Sequence, residues 1–233
     1  SEMCIRDRPT REDVMQFLNE DQRFRFFLNA VTYATYEDVP GNFVEFGVYG
    51  GRSLALLSHF LHTGIYNKRP RRILGFDSFQ GLGATSFDHS RWKIGDCALN
   101  DDASHPIFDL GDPVTPEGVT ELVEATGSPA PDLIVGKFEE TLDANIDGIG
   151  EAAIIHIDCD LYEATAYIFE RITKVIQPGT LIAFDDWFHY KADRDKGEQK
   201  AFSEFLAANP NWYAVPYHTY GTFCKSFILN YNS

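Results

Sequence analysis

Two short apolar runs that each stop at paired carboxylates constrain this chain more than any other feature. Ile154-Ile155-His156-Ile157-Asp158-Cys159-Asp160 comes first, and Leu181-Ile182-Ala183-Phe184-Asp185-Asp186 follows about 25 residues later, the spacing of a βαβ unit. Runs of this kind read as buried parallel strands whose last residues emerge at the carboxyl edge of a sheet, the edge where open α/β sheets bind ligands. Four carboxylates meeting there repel one another unless a cation or shared protons offset the charge. A hard divalent metal, Mg²⁺ or Mn²⁺, is the simplest resolution.

The rest of the chain repeats this strand-and-helix alternation. Apolar spacing predicts two helices between Thr10 and Asp38, through Val14, Phe17, Leu18, Phe24, Phe27, Leu28 and Val31. They are expected to cover one edge of the domain or a partner subunit. After Pro40-Gly41, a first strand spans Asn42–Val48, and Gly50-Gly51 turns it into a helix with Leu54, Leu57, Phe60 and Leu61 on one face. A second strand, Arg72–Asp77, again ends on an acid. Residues 81–116 lack periodicity and are too long for a casual connection, which predicts a lid or substrate loop. Then come a helix over Glu117–Ala125, a strand over Asp132–Gly136, a helical turn over Phe138–Leu142, a helix over Tyr162–Ile176 and another over Glu198–Ala208. Two terminal strands, Trp212–Tyr217 and Thr222–Leu229, are joined through His218-Thr219-Tyr220-Gly221. The expectation is an N-terminal helical extension over residues 1–40 and one α/β domain over 41–233: five parallel-type strands closed by a hairpin.

Composition narrows the partners. A chain of 233 residues supports one sizeable core. Its formal net charge of −15 argues against nucleic acid or an anionic membrane surface, both of which need clustered Lys and Arg. Cys4, Cys97, Cys159 and Cys224 are scattered and read as reduced thiols. No run is long enough for a transmembrane helix, Ser1–Arg8 has no apolar core of a signal peptide, and a cytoplasmic location is the default expectation. A homodimer or larger assembly is expected from the aromatic N-terminal helices.

Glu45-Phe46-Gly47-Val48-Tyr49-Gly50-Gly51 places glycines where a strand becomes a helix, giving close backbone approach and free N–H groups. A dinucleotide site wants Gly-x-Gly-x-x-Gly with an acid about 20 residues on. Here the second glycine is missing, Asp77 comes late, and Glu45 would repel a pyrophosphate. These departures suit a nucleoside carrying a zwitterionic amino acid without phosphate, namely S-adenosylmethionine. Asp77, beside Ser78, would hold the ribose hydroxyls, and Glu45 would attract the ammonium. The Gly47–Gly51 turn with Tyr49 would give room, and Ser53 or Arg52 would meet the carboxylate. Phe79, Phe138 and Trp187 are expected to line the pocket. The blander alternative leaves Glu45 as a strand-end cap and Asp77 as a helix N-cap.

Four strings together resemble the macrocin O-methyltransferase family of sugar-tailoring enzymes: Val44–Gly51, Phe76-Asp77-Ser78-Phe79-Gln80-Gly81-Leu82, Ile157–Thr165 and Phe184-Asp185-Asp186-Trp187. The resemblance covers Asn42–Ala208. It implies a Rossmann-like class I methyltransferase fold, a mostly parallel seven-stranded sheet with a C-terminal antiparallel hairpin and helices on both faces. It also implies S-adenosylmethionine and Mg²⁺ as cofactors, with the hydroxyl of a sugar or vicinal diol as acceptor. In its metal site the chain also resembles, more distantly, catechol O-methyltransferase. That likeness implies Asp158, Asp185 and Asp186 as ligands, with Asp158 also at the cofactor, while the relative's catalytic lysine falls on Leu161. The proton acceptor must therefore come from elsewhere. His189 is the candidate nearest the acidic pair; His89 and His105 lie in the expected lid, and His156 reads as a buried core residue. Asp160 is assigned either to orienting the ligands or to capping the next helix, and Tyr162 to packing or substrate positioning.

Two rival readings stand beside this one. Asp158-Cys159-Asp160 is also the Asp-x-Asp pattern with which metal-dependent glycosyltransferases hold a nucleotide sugar. A non-catalytic S-adenosylmethionine-binding module would keep the same fold.

Overall fold

The structure is a computed structural model that describes residues 8–62, 69–84 and 92–232. Cys4 and His89 lie outside the described residues. Five parallel strands form its centre: β1 (Asn42–Phe46), β2 (Ile73–Asp77), β3 (Asp132–Val135), β4 (Ala152–Ile157) and β5 (Leu181–Phe184). β6 (Trp212–Tyr220) and β7 (Cys224–Tyr231) close one side, β7 running antiparallel to β5, in the order β3-β2-β1-β4-β5-β7-β6. Strand order reverses between β1 and β4, whose registers pair Glu45 with His156 and Phe46 with Ile157. A crevice opens at such a reversal, outside the carboxyl ends of the strands.

Strand alternation divides the core in two, because successive side chains point to opposite faces. On one face Phe43, Ile73, Ala153, Leu181 and Ala183 pack under α1 (Arg11–Asn19), α2 (Phe24–Tyr36), α3 (Arg52–His62) and α4 (Pro116–Ala125). On the other, Val44, Phe46, Leu74, Ile155, Ile182 and Phe184 meet α5 (Phe138–Ile149), α6 (Tyr162–Phe169) and α8 (Gly197–Ala208). Between β5 and α8 lies the short turn α7 (His189–Ala192), in which Tyr190, Lys191 and Ala192 all have positive φ. α1 starts with a capping box, Thr10 Oγ1 accepting from the Asp13 N–H while Asp13 accepts from the Thr10 N–H. The two N-terminal helices belong to the main core: Val14, Leu18, Phe27, Ala30, Val31 and Ala34 are all fully buried in it.

Several expected boundaries move. α5 runs twelve residues instead of one turn, because Leu142, Ile146 and Ile149 are all buried and Asp147-Gly148 disguised their spacing. The helix expected over Tyr162–Ile176 ends at Phe169; Arg171 reaches across to Asp143 at 2.6 Å, and the chain continues as a 3-10 turn over Ile172–Lys174. β6 extends through Tyr220, so the hairpin link is displaced toward Gly221–Phe223. No helix among the described residues is long and apolar enough to cross a membrane.

Candidate active site

The strand ends are brought together by a backbone contact that only glycine permits. The Gly47 N–H donates to Phe76 O at 2.9 Å and the Asp158 N–H to Phe46 O at 2.8 Å, tying β1 to both neighbours. Gly47 has φ +87°, and a Cβ there would lie 1.7 Å from the Asp158 carbonyl oxygen. Tyr49 follows at φ 46°, which turns two amides toward Asp77: its Oδ2 accepts from the Val48 N–H at 2.7 Å and the Tyr49 N–H at 3.0 Å. Asp77 Oδ1 accepts from the Phe79 N–H at 2.6 Å. The same carboxylate thus fixes the glycine turn and stands beside it at the rim of a cavity of about 1230 Å³. Gly47, Tyr49, Gly51, Ser53, Ser78 and Phe138 line that cavity too, as does Asp158.

Glu45 does not reach it. The side chain is fully buried beneath the turn, where Ser53 Oγ donates to Oε1 and His156 Nδ1 lies 2.7 Å from the same oxygen. Its register partner on β4 is His156, which with Ser53 takes up Oε1, while Oε2 is buried without a hydrogen-bond partner among the described residues. Burial alone would lower the His156 pKa, but the nearby Asp185 carboxylate and the hydrogen-bonded Glu45 raise it to about 10. A buried imidazolium therefore links the strand end under the glycine turn to the carboxylate pair after β5; its Nε2 is 3.8 Å from Asp185 Oδ1.

Asp158, Asp160, Asp185 and Asp186 all line the cavity. Between them sits a residue that sequence reasoning missed. Arg23, from the link between α1 and α2, places Nη1 2.8 Å from Asp185 Oδ1 and 3.4 Å from Asp158 Oδ2. Asp21 clamps its other edge, Oδ1 accepting from Nε at 3.1 Å and Oδ2 from Nη2 at 3.0 Å. Asp185 is drawn well below the usual carboxylate range: burial works against this, but Arg23 and His156 outweigh it. Asp158 is pushed up, by desolvation first and then by the charge of Asp185. Asp186 is pushed up by burial, then by Asp160 and Asp185. Glu198, at the start of α8, is a second missed residue. It is 1 % exposed, its Oε2 accepts the Asp186 N–H at 3.0 Å, and burial followed by the Asp186 charge raises it.

The donor set suits a hard cation. It is all oxygen, and Asp186 Oδ2 and Glu198 Oε1 are buried without a hydrogen-bond partner among the described residues. Their spacing departs from expectation, however. Among the described residues, the ligand atoms that converge within 4.8 Å belong to Glu45, His156 and Asp158. Glu45 and His156 already bind each other, whereas Asp158 and Asp185 are bridged by Arg23, whose charge occupies the ground between them.

Other expected residues fall behind the cavity or at its walls. His189 is buried, with Nδ1 3.1 Å from Asp186 Oδ1, and rests edge-on against Phe223. It backs Asp186 and is absent from the cavity lining. Trp187 packs among Phe184, Phe202 and Phe227 on the far face, because its position follows the carboxylate pair away from the sheet edge. Tyr162 donates to Glu204 at 2.6 Å and joins α6 to α8. The N-cap of α6 is Leu161, one residue after Asp160, and the Asp160 carbonyl accepts from the Tyr190 hydroxyl at 3.2 Å. His105 is an anchor, with Nε2 3.0 Å from Gly50 O. It docks the segment after Trp92 onto the glycine turn together with Tyr49, whose hydroxyl is 3.0 Å from Leu99 O and 2.8 Å from Asp101 Oδ1. Ile94 and Cys97 of that segment line the cavity wall, as do Leu82 and Trp92.

A seven-stranded sheet of this order, with a glycine turn after β1 and acids after β2, β4 and β5, defines a class I methyltransferase. The family model described as Macrocin-O-methyltransferase (TylF) matches residues 5–200, and the chain belongs to that family. It is an S-adenosylmethionine-dependent O-methyltransferase, and the glycosyltransferase reading of its Asp-x-Asp string falls away. Solved structures share its fold. The O-methyltransferase NovP is 20% identical, TM-score 0.64, over 89% of this chain and 79% of that one. CalS11, a calicheamicin methyltransferase, is 22% identical, TM-score 0.63, over 94% and 90%. An O-methyltransferase from Bacillus cereus in complex with SAH is 17% identical, TM-score 0.57, over 94% and 90%. No curated protein sequence matches significantly.

Proposed function

We propose that the chain transfers the methyl group of S-adenosylmethionine to a hydroxyl of a sugar or vicinal diol on a small natural product, with Mg²⁺ held by Asp158, Asp185 and Asp186. The observation that carries this reading is the single cavity joining the glycine turn to the carboxylates after β4 and β5. The related CalS11 is described as a TDP-rhamnose 3'-O-methyltransferase, which supports a sugar acceptor here.

The roles follow from position. Asp77 and Ser78, at the end of β2, face the ribose. Gly47, Tyr49 and Gly51 give the amino-acid moiety its room, the backbone N–H of Ser53 meets its carboxylate, Phe138 covers the base, and Glu45 holds Ser53 from beneath. When bound, Mg²⁺ would supply the positive charge that lowers the pKa of a ligated hydroxyl, and the sulfonium supplies the methyl group. Asp158, facing both halves of the cavity, aims the acceptor oxygen and stands where the departing proton can be taken. His189 orients Asp186 from behind and acts through it. Positioning carries much of the rate, since a correctly held nucleophile can gain about 7 kcal/mol or more over free encounter.

The test is a calorimetric titration of S-adenosylmethionine into metal-stripped protein, repeated with Mg²⁺. Micromolar binding, weakened strongly in Asp77→Ala, is the expected result. Absence of binding under both conditions sinks the proposed cofactor site.

A further inference from the structure

A guanidinium lodged among proposed metal ligands raises the question of what it does there. Arg23 is not a loose surface chain. Its side chain is 14 % exposed, and the Asp21 carboxylate takes up Nε, Nη2 and the Arg23 backbone N–H, the last at 2.7 Å. Asp21 is itself buried, and α1 and α2 on either side are locked into the core by Leu18 and Phe27. Only Nη1 is left pointing outward, and it points between Asp185 Oδ1 and Asp158 Oδ2. A cation held by those two carboxylates would compete with Nη1 for the same oxygens. Beyond Asp21 the charges continue to alternate: Arg52 stands 3.9 Å from Asp21 and 3.2 Å from Asp102 on the segment that walls the cavity.

We propose that Arg23 is a built-in counter-cation that competes with the divalent metal for Asp158 and Asp185. The inference rests on the reading of these carboxylates as metal ligands. Arg23 neutralises the acidic centre until the metal arrives, and metal entry requires Nη1 to withdraw. The Asp21 clamp sets how readily it does so. Arg23 is thereby a positioning residue supplied by the N-terminal helices, and it ties their packing to metal affinity.

The experiment is calorimetric titration of Mn²⁺ alone into the metal-stripped full chain, without cofactor or acceptor, for the wild type, Arg23→Gln and Asp21→Asn. Removing the competing charge should tighten Mn²⁺ binding about tenfold or more in Arg23→Gln, the size of effect one neighbouring charge has on a carboxylate. Loosening the clamp should tighten it less in Asp21→Asn. Adding Asp185→Asn to Arg23→Gln should remove the gain. Unchanged or weaker Mn²⁺ binding in folded Arg23→Gln overturns the proposal while leaving the metal reading intact. If Arg23→Gln does not fold, Asp21→Asn decides in the same way. A gain that survives Asp185→Asn places the ion elsewhere and also overturns it. Failure of every variant to bind Mn²⁺ overturns the metal reading and this proposal together.

Discussion

Replacing Gly47 by alanine should damage both the fold and the chemistry, and the size of the damage can be worked from two distances. The new Cβ would lie 1.7 Å from the Asp158 carbonyl oxygen and 2.6 Å from its carbon, both backbone atoms that no side-chain rotation can relieve. The end of β4 must therefore withdraw by more than an ångström, or Gly47 must abandon φ +87° and release the turn. An L-residue held at positive φ costs roughly 1–2 kcal/mol before any clash. With the displaced strand end added, the total should reach about 3 kcal/mol or more. For a chain of this size each kcal/mol lowers Tm by about 2–4 °C, which gives a fall of about 6–12 °C by thermal denaturation. A shift of about 1 Å at Asp158 should cost about a hundredfold in kcat/KM, measured as S-adenosylhomocysteine release. Gly148 is the internal control. It is exposed within α5 with no atom within 4 Å of a Cβ, so Gly148→Ala should hold or raise stability by about 0.5–1 kcal/mol. The reasoning is refuted if Gly47→Ala melts like wild type, or if both alanines lower Tm equally.

Three further outcomes follow. His156 has its folded pKa raised to about 10 from 6.5, so its contribution to stability is complete below about pH 6.5 and fades as pH rises through 10; this alkaline decline in Tm should flatten in His156→Gln. Tyr49→Phe removes the hydroxyl that accepts from the Asp101 N–H at 2.8 Å and pairs with Leu99 O, and should cost about 1 kcal/mol while raising proteolysis around Leu99–Asp102 and the acceptor KM. Glu45→Ala should cost about 3–5 kcal/mol by chemical denaturation, because it leaves the buried His156 charge uncompensated, and Glu45→Gln should cost less.

The acidic strand ends were legible because burial and charge change abruptly there. A run such as Ile154–Ile157 can be paired on both edges only inside a sheet, and Asp158 can only follow it into solvent or a site. The glycine turn was legible for the same kind of reason, a backbone demand that leaves its mark on residue type. Arg23 was not. It lies far from Asp158 and Asp185 in sequence and meets them because α1 and α2 pack across α3 and β4, a tertiary fact without local signature. Asp21-Gln22-Arg23 between two apolar helices was the available hint. Glu198 looks like an ordinary acid in a first helical turn, and only the path from β5 through α7 brings it beneath Asp186. Glu45 was legible as an acid at a strand end beside the turn, but its partner was not: only the register of β1 against β4 places it opposite His156.

The most direct test of the account is methyl transfer itself, followed as S-adenosylhomocysteine formation on a panel of nucleotide-sugar and vicinal-diol acceptors. The protein is stripped with chelator, assayed, and assayed again after Mg²⁺ is restored. Turnover should collapse on stripping, return with Mg²⁺, and fail to return in Asp185→Asn. Undiminished turnover in the stripped enzyme, or in Asp185→Asn, would contradict the metal-assisted mechanism at its centre.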